Sequence, residues 1–127
     1  MMQATARQLD GTAQAAERAG TPDAPVDLVH LARHTLGNRE LEREVLRLFS
    51  RQARMMTERM REGCQGEALE RCLHTLLGSA RSIGAWKVTE AVEQAQQALR
   101  ETGGADLVAV SAAVAESADF IEILLDA

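Results

Sequence analysis

A histidine in the middle of the chain stands on the polar side of an otherwise apolar helical segment. The segment covers residues 73–85 and reads LHTLLGSARSIGA. A neutral imidazole is a nucleophile near neutral pH, because its reference pKa is about 6.5. Residues of an α-helix follow one another at about 100°, so His74 lies about 200° from Leu76 and points outward if Leu76 is buried. The pattern therefore predicts an exposed nucleophilic histidine.

A glycine follows one helical turn after this histidine, on the same side of the helix. Glycine inside a helix costs roughly 0.5–1 kcal/mol relative to alanine, so Gly78 needs a reason. Close packing within the domain is one explanation, but Gly78 faces outward if His74 does, which favours the approach of an external molecule. Leu77 is expected to be exposed beside it as an apolar contact. Arg71 and Arg81 lie above and below on the same side.

Length and composition indicate a single helical domain. The 127 residues can bury one modest core. Aromatic residues make up only 2% and tyrosine is absent, which favours helices over a β-sandwich or barrel. The net charge of −5 argues against a general nucleic-acid binder. Cys64 and Cys72 have no metal-site or redox-motif spacing, and Cys72 is expected to be a small buried thiol.

The sequence contains no sign of export or membrane insertion. No basic segment followed by an apolar run is visible at the N-terminus, and no stretch approaches roughly 18 consecutive apolar residues. We therefore expect a cytoplasmic protein that does not associate with membranes.

Helical periodicity begins after an N-terminal segment without an apolar stripe. Residues 1–24 are rich in Ala, Gln, Thr and Gly, and we expect a flexible tail there. Residues 25–127 contain five segments with helical spacing and no alternating strand pattern. This predicts an all-α fold, an antiparallel four-helix bundle with a short additional N-terminal helix. The breaks between helices fall at Gly37-Asn38, Gly63–Gly66, Gly84-Ala85 and Gly103-Gly104.

The second helix has a predicted N-terminus and a predicted inner face. Asn38 can cap it, with Glu40 in the favourable first turn. Its apolar residues at helical spacing are Leu41, Val45, Leu48, Phe49, Met56 and Met60.

The histidine segment resembles the signature of histidine-containing phosphotransfer (HPt) domains. That pattern is a histidine, a variable residue, leucine, lysine, glycine, serine and a small residue, followed shortly by an aliphatic residue and Gly-Ala. The chain matches it in two stretches, and the resemblance extends over about residues 26–126. The stretches are His74-Thr75-Leu76-Leu77-Gly78-Ser79-Ala80 and Ile83-Gly84-Ala85.

The resemblance implies a role in a two-component phosphorelay. His74 would accept a phosphoryl group on its outer ring nitrogen from a receiver-domain aspartate and pass it to another such aspartate. The protein would be a monomeric phosphoryl carrier without a kinase domain or cofactor of its own, and its partners would be response-regulator receiver domains and a hybrid histidine kinase. Magnesium would belong to the receiver. Thr75, Leu77 and Gly78 would form part of the docking surface, with Gly78 leaving room for the receiver.

One position departs from the family pattern. Leu77 stands where the family usually has a lysine, whose ammonium group can help to neutralise the phosphoryl group. Arg81 and Arg71 are the candidate replacements, because an arginine side chain can reach about one helical turn. The alternative is a degenerate adaptor that binds receiver domains without phosphotransfer.

Two other classes of site are weaker interpretations. His30 and His34 have an i, i+4 spacing that can chelate a transition metal, but no third ligand accompanies them, so two surface histidines and no metal site are expected. The second helix carries many arginines, but interspersed glutamates indicate a solvated face rather than a membrane-binding one.

Overall fold

The computed structural model describes residues 24–126, which form helices joined by short connections. No strand occurs within this range, and the predicted all-α fold is confirmed. Asn38 caps the second helix as predicted, its side chain accepting a hydrogen bond from the Leu41 amide at 3.1 Å. The helices are α1 (Leu28–His34), α2 (Arg39–Arg61), α3 (Gly66–Ile83), α4 (Trp86–Thr102) and α5 (Val108–Asp126).

The four long helices form an antiparallel bundle. α2 packs against α3 and α5, and α4 packs against the same two helices, so the four close a ring. The Arg43 guanidinium near the start of α2 donates to the Leu125 carbonyl near the end of α5 at 2.8 Å, which shows that these two helices run in opposite directions. The predicted four-helix bundle with a short additional helix is therefore confirmed.

The inner face of α2 differs from the predicted one. Leu41 and Leu48 are 45% and 52% exposed, because they lie roughly 100–120° around the helix from the centre of the buried stripe. The prediction followed apolar character alone and so included these two leucines, while it omitted Leu46 and Ala53. The buried residues of α2 are Leu46, Phe49, Ala53, Met56 and Met60.

The burial of Ala24 differs from the prediction. Ala24 was expected to end the flexible tail, but it is 4% exposed and packs into the core together with Val26. The rest of the predicted tail, residues 1–23, lies outside the described residues. The first helix was expected to end near Gly37 but ends at His34, because Leu36 and Gly37 both take positive φ angles, 54° and 76°, which no α-helix continues.

Asp27, directly before α1, links that helix to the C-terminus of α3 and the N-terminus of α4. The Asp27 amide donates to the Gly84 carbonyl at 2.9 Å, and its carboxylate accepts from the His30 amide and the Trp86 indole, each at 3.1 Å. The Nε2 atom of His30 lies 2.9 Å from the carbonyl oxygen of Arg81. Because a carbonyl oxygen only accepts hydrogen bonds, Nε2 must carry the proton. The hydrogen bond from the His30 amide, followed by that from Trp86, lowers the pKa of Asp27.

Gly84 makes the tight turn that allows this contact. Its φ is +77°, in the left-handed region, and it closes the C-terminus of α3. A Cβ atom at this position would lie 2.8 Å from the Cβ of Asp27 and 3.1 Å from its carbonyl oxygen. Glycine is therefore favoured at position 84 for two reasons: the backbone has a left-handed conformation, and Asp27 before α1 approaches too closely for a Cβ atom.

We expect Gly84→Ala to destabilise the fold more than Gly103→Ala. Both glycines have nearly the same φ, +77° and +80°, but a Cβ at Gly103 meets nothing within 4 Å. Gly103→Ala should therefore report the conformational cost alone, about 1 kcal/mol, while Gly84→Ala adds the clash with Asp27 and should reach about 2 kcal/mol or more. Chemical denaturation measures both, and equal losses would contradict the proposed contact.

We expect Asp27→Asn to remove part of the acid sensitivity of the fold. Because the folded state lowers the pKa of Asp27 below 3.8, the ionised carboxylate stabilises the fold above that pH, and this contribution is lost as the pH falls through the folded-state pKa. The difference in free energy of unfolding between wild type and Asp27→Asn should be largest near neutral pH and shrink below about pH 4. A difference that is constant with pH would contradict this assignment.

Candidate functional site

His74 projects from α3 into an open cleft between α3 and α4. Its side chain is exposed, whereas Leu73 and Leu76 on the same helix are fully buried, as the helical spacing predicts. The cleft has a volume of about 290 Å³. An exposed imidazole in an open cleft can be reached by a reacting group on another molecule. The residues lining the cleft are Glu70, His74, Gln96, Leu99 and Arg100.

Two polar residues of α4 face His74 that were not identified from the sequence. Gln96 and Arg100 lie one turn apart on α4, and both line the His74 cleft. Arg100 has no carboxylate within ion-pair distance among residues 24–126. The sequence does contain a weak indication that Gln96 lies beside His74. His74 precedes the Gly84-Ala85 turn by about as many residues as Gln96 follows it. In an antiparallel helix pair such positions lie at the same height.

Gly78 leaves a bare patch on the surface beside His74. It is exposed, and a Cβ atom built on it would meet nothing within 4 Å in the described part of the chain. Close packing inside the domain therefore does not explain this glycine. Gly78 lies within α3, and its carbonyl accepts a hydrogen bond from the Ser82 hydroxyl at 3.0 Å.

The expectation that Leu77 is exposed is wrong. Leu77 is only 7% exposed and belongs to the hydrophobic core. α3 packs against α1, α2 and α4, so its buried arc is wider than the single stripe that the sequence suggested. Leu77 lies on the α4 side of that arc, where it lines a second cleft with Thr89 and Glu93. It contributes to packing between α3 and α4 rather than to an apolar surface around His74.

Arg71 and Arg81 both have carboxylate neighbours. A guanidinium nitrogen of Arg71 lies 3.9 Å from Glu67, and one of Arg81 lies 3.8 Å from Glu93. Neither arginine lines the His74 cleft, although Arg81 lines the neighbouring cleft, which Arg100 also borders. Within residues 24–126, Arg100 is therefore the only arginine that lines the His74 cleft.

A comparison with models of protein families assigns the chain to a family. The chain matches the family model of the Hpt domain over residues 44–127, which includes most of α2 and all of α3, α4 and α5. The chain belongs to the Hpt domain family. Searches of curated proteins and of solved structures found no match. At the level of the family, the match supports a histidine phosphotransfer role in a phosphorelay, as a phosphoryl carrier that interacts with receiver domains and kinases.

A shallow apolar groove of this Hpt domain lies between α2 and α3, and its α3 wall includes Ser79, the residue that follows Gly78. It has a volume of about 180 Å³, and its α2 wall includes the half-exposed Leu48. The Ser79 hydroxyl donates to the Gln52 side chain across the groove at 3.2 Å. Thr75 is exposed on the same helix as Ser79, one turn before it. The surface around His74 thus continues from Gly78 onto α2.

The other sites considered from the sequence are not assembled in the described residues. The rings of His30 and His34 lie 4.4 Å apart edge to face, but His30 Nε2 is bonded to the Arg81 carbonyl. Within residues 24–126, no group of three or more His, Cys, Asp or Glu side chains is arranged to hold a metal ion. No helix in the same range has the length and apolar character needed to cross a membrane.

We expect Gly78→Ala to stabilise the isolated Hpt domain. Because the position is helical and open, alanine adds helix propensity without a clash, and the free energy of unfolding should rise by roughly 0.5–1 kcal/mol. Chemical denaturation measures the change, with Gly84→Ala as the control of opposite sign. A loss of stability in Gly78→Ala would show that this glycine is needed for folding and would contradict a role reserved for external contacts.

Proposed function

We propose that this Hpt domain relays a phosphoryl group between receiver-domain aspartates through His74. The observation that carries the proposal is the exposed His74 imidazole in an open cleft, with the bare surface of Gly78 one turn away. The family match supports phosphotransfer in general, and His74 is the histidine of the segment that resembles the family signature. His30 and His34 lie on α1, before the matched residues begin.

The chemistry needs little from the carrier beyond an accessible nucleophile. The outer ring nitrogen of neutral His74 attacks the phosphorus of an aspartyl phosphate, so that an N–P bond forms as the O–P bond breaks and the aspartate leaves as a carboxylate. The second transfer reverses these roles at another receiver. Transfer passes through a loose transition state, so positioning and charge stabilisation are the main tasks. Magnesium would be held by the receiver, and this chain would need no cofactor of its own.

We assign the stabilising charge in the cleft to Arg100. The family usually supplies a lysine at the position of Leu77, and here that side chain is apolar and buried. Arg100 lines the cleft that contains His74, whereas Arg71 and Arg81 lie beside Glu67 and Glu93. A guanidinium stays charged at neutral pH and donates to phosphoryl oxygens in a planar fork. Gln96, in the same cleft, adds a neutral donor to the group of side chains around His74.

We further propose that the receiver docks across α3 onto α2. Thr75 and Gly78 would lie beneath it, and the groove that contains Leu48 would take an apolar side chain of the partner. Leu77 is removed from this surface because it is buried. Leu48 of α2, which is 52% exposed, would provide the apolar contact instead.

A degenerate adaptor is the second candidate, and the observation that favours it is Leu77 in place of the usual lysine. Such an adaptor would keep the docking surface and bind receivers without accepting phosphate. Binding to a receiver therefore does not separate the two functions, whereas covalent label on the protein does.

The deciding experiment is transfer of labelled phosphate from a phosphorylated receiver domain in the presence of magnesium. We expect acid-labile, base-stable label on the wild-type full chain and none on His74→Gln. His34→Gln, which removes another exposed histidine, should be labelled like wild type. If wild type and His74→Gln bind receivers equally and neither is labelled across a panel of receivers, the adaptor function is correct and phosphotransfer is excluded.

We expect Arg100→Gln to slow transfer to His74 about tenfold, equivalent to about 1.4 kcal/mol in the barrier, because the cleft loses its positive charge. Arg71→Gln is the matched control, because Arg71 is an exposed arginine of α3 that does not line the cleft. Single-turnover transfer rates measure both variants, and circular dichroism checks that they are folded. Equal rates in the two variants would contradict the assignment of Arg100.

A further inference from the structure

A second apolar stripe of α2 lies outside the core of the bundle. Leu41, Leu48 and Met55 follow one another at intervals of seven residues, and each is about half exposed. Val45, which is partly buried, and Gln52 lie between them, so the spacing alternates between four residues and three. This is the repeat of a coiled-coil seam, where the side chains of one helix pack between those of another. We call these five residues the α2 stripe.

The α2 stripe forms one continuous surface rather than a set of scattered exposed side chains. It extends over about 21 Å, the rise of fourteen helical residues. The apolar groove between α2 and α3 lies along it, because Val45, Leu48 and Gln52 also line that groove. Single exposed leucines are ordinary, whereas a continuous apolar strip on a protein surface is typical of an interaction site.

The charges beside the α2 stripe are complementary to those of a second copy. Glu44 and Arg51 are exposed and lie on the same flank, seven residues apart. When two α2 helices pair in opposite directions with Leu48 opposite Leu48, Leu41 comes opposite Met55 of the second copy. Glu44 then lies within about 1.5 Å, along the helix axis, of the height of Arg51 of the second copy. Twofold symmetry forms this ion pair twice.

Arg51 is available for such a pair. Among residues 24–126 it has no carboxylate within ion-pair distance. Glu44 lies 3.7 Å from Arg47 at an exposed position, and a carboxylate can accept from two guanidinium groups. A parallel pairing offers no equivalent, because the flank of Glu44 and Arg51 would then face the flank on which Phe49 and Met56 are buried.

We propose that the α2 stripe is a self-association surface, through which two copies of this chain pair their α2 helices in opposite directions. Leu48 lies at the twofold axis, with a Leu41–Met55 contact on either side of it. The contact is small, so the dissociation constant is roughly micromolar or weaker. The result is a reversible dimer, which differs from the monomer that the family resemblance implies.

The dimer would cover the groove assigned above to the receiver. Leu48 and Gln52 belong to both surfaces, so one copy of the chain cannot use them for a second copy and a receiver at once. This exclusion rests on the proposed function. Self-association itself does not, because it involves neither His74 nor a receiver, and it is measured on the chain alone.

The first test is analytical ultracentrifugation of the full chain over roughly 1 μM to 1 mM. We expect a monomer–dimer equilibrium whose dissociation constant rises at least about tenfold in Leu48→Arg. Leu36→Arg is the control, because Leu36 is almost fully exposed and lies outside α2, and it should leave the equilibrium unchanged. Circular dichroism checks that both variants are folded. A monomer at every concentration, or equal effects of the two variants, would overturn the proposal.

Cross-linking tests the direction of the pairing. In Leu48→Cys the two introduced thiols meet at the twofold axis, and mild oxidation should join them, as peptide mapping can show. In Met55→Cys they would lie about 21 Å apart along the axis, so the corresponding link should form at least roughly tenfold more slowly. Equal rates at the two positions would indicate a parallel pairing or random collision and would overturn the proposal.

Discussion

The rotation of α3 about its own axis is the constraint on which the site depends. Leu73 and Leu76 are fully buried and Leu77 is nearly so, which leaves α3 only one orientation in the bundle. Turning the helix to bury His74 would bring these leucines into water, at a cost of roughly 1.5–3 kcal/mol for each. His74 is thus held outward by side chains that play no part in its chemistry, and Gly78 shares its side of the helix.

The position of α3 along the bundle is set at its C-terminus. There the turn at Gly84 brings Asp27 against the chain, and one carboxylate joins the start of α1 to Trp86 at the start of α4. This junction defines where α4 begins relative to α3, and therefore which residues of α4 come to lie opposite His74. The polar residues brought there are Gln96 and Arg100, so the composition of the cleft depends on a turn at the other end of the helix pair.

The features predictable from the sequence are the ones that local chemistry determines. The Asn38 cap, the turns at Gly84 and Gly103, and the outward direction of His74 each follow from a few neighbouring residues. The burial of Leu77 and the exposure of Leu48 do not, because they depend on how wide an arc each helix buries against its neighbours. The placement of Arg100 beside His74 depends on which helices pair and in what register. Apolar periodicity within one helix carries no such information.

We propose that a ring nitrogen of His74 is the atom that accepts the phosphoryl group. The most direct measurement is the ³¹P NMR spectrum of the full chain after reaction with a phosphorylated receiver and magnesium. A phosphorus bonded to an imidazole nitrogen is distinguishable there from phosphate esters and acyl phosphates. We expect one phosphoramidate resonance in wild type that is absent from His74→Gln. A phosphoramidate resonance that persists in His74→Gln, or none in wild type, would contradict the assignment of His74 as the phosphoryl acceptor.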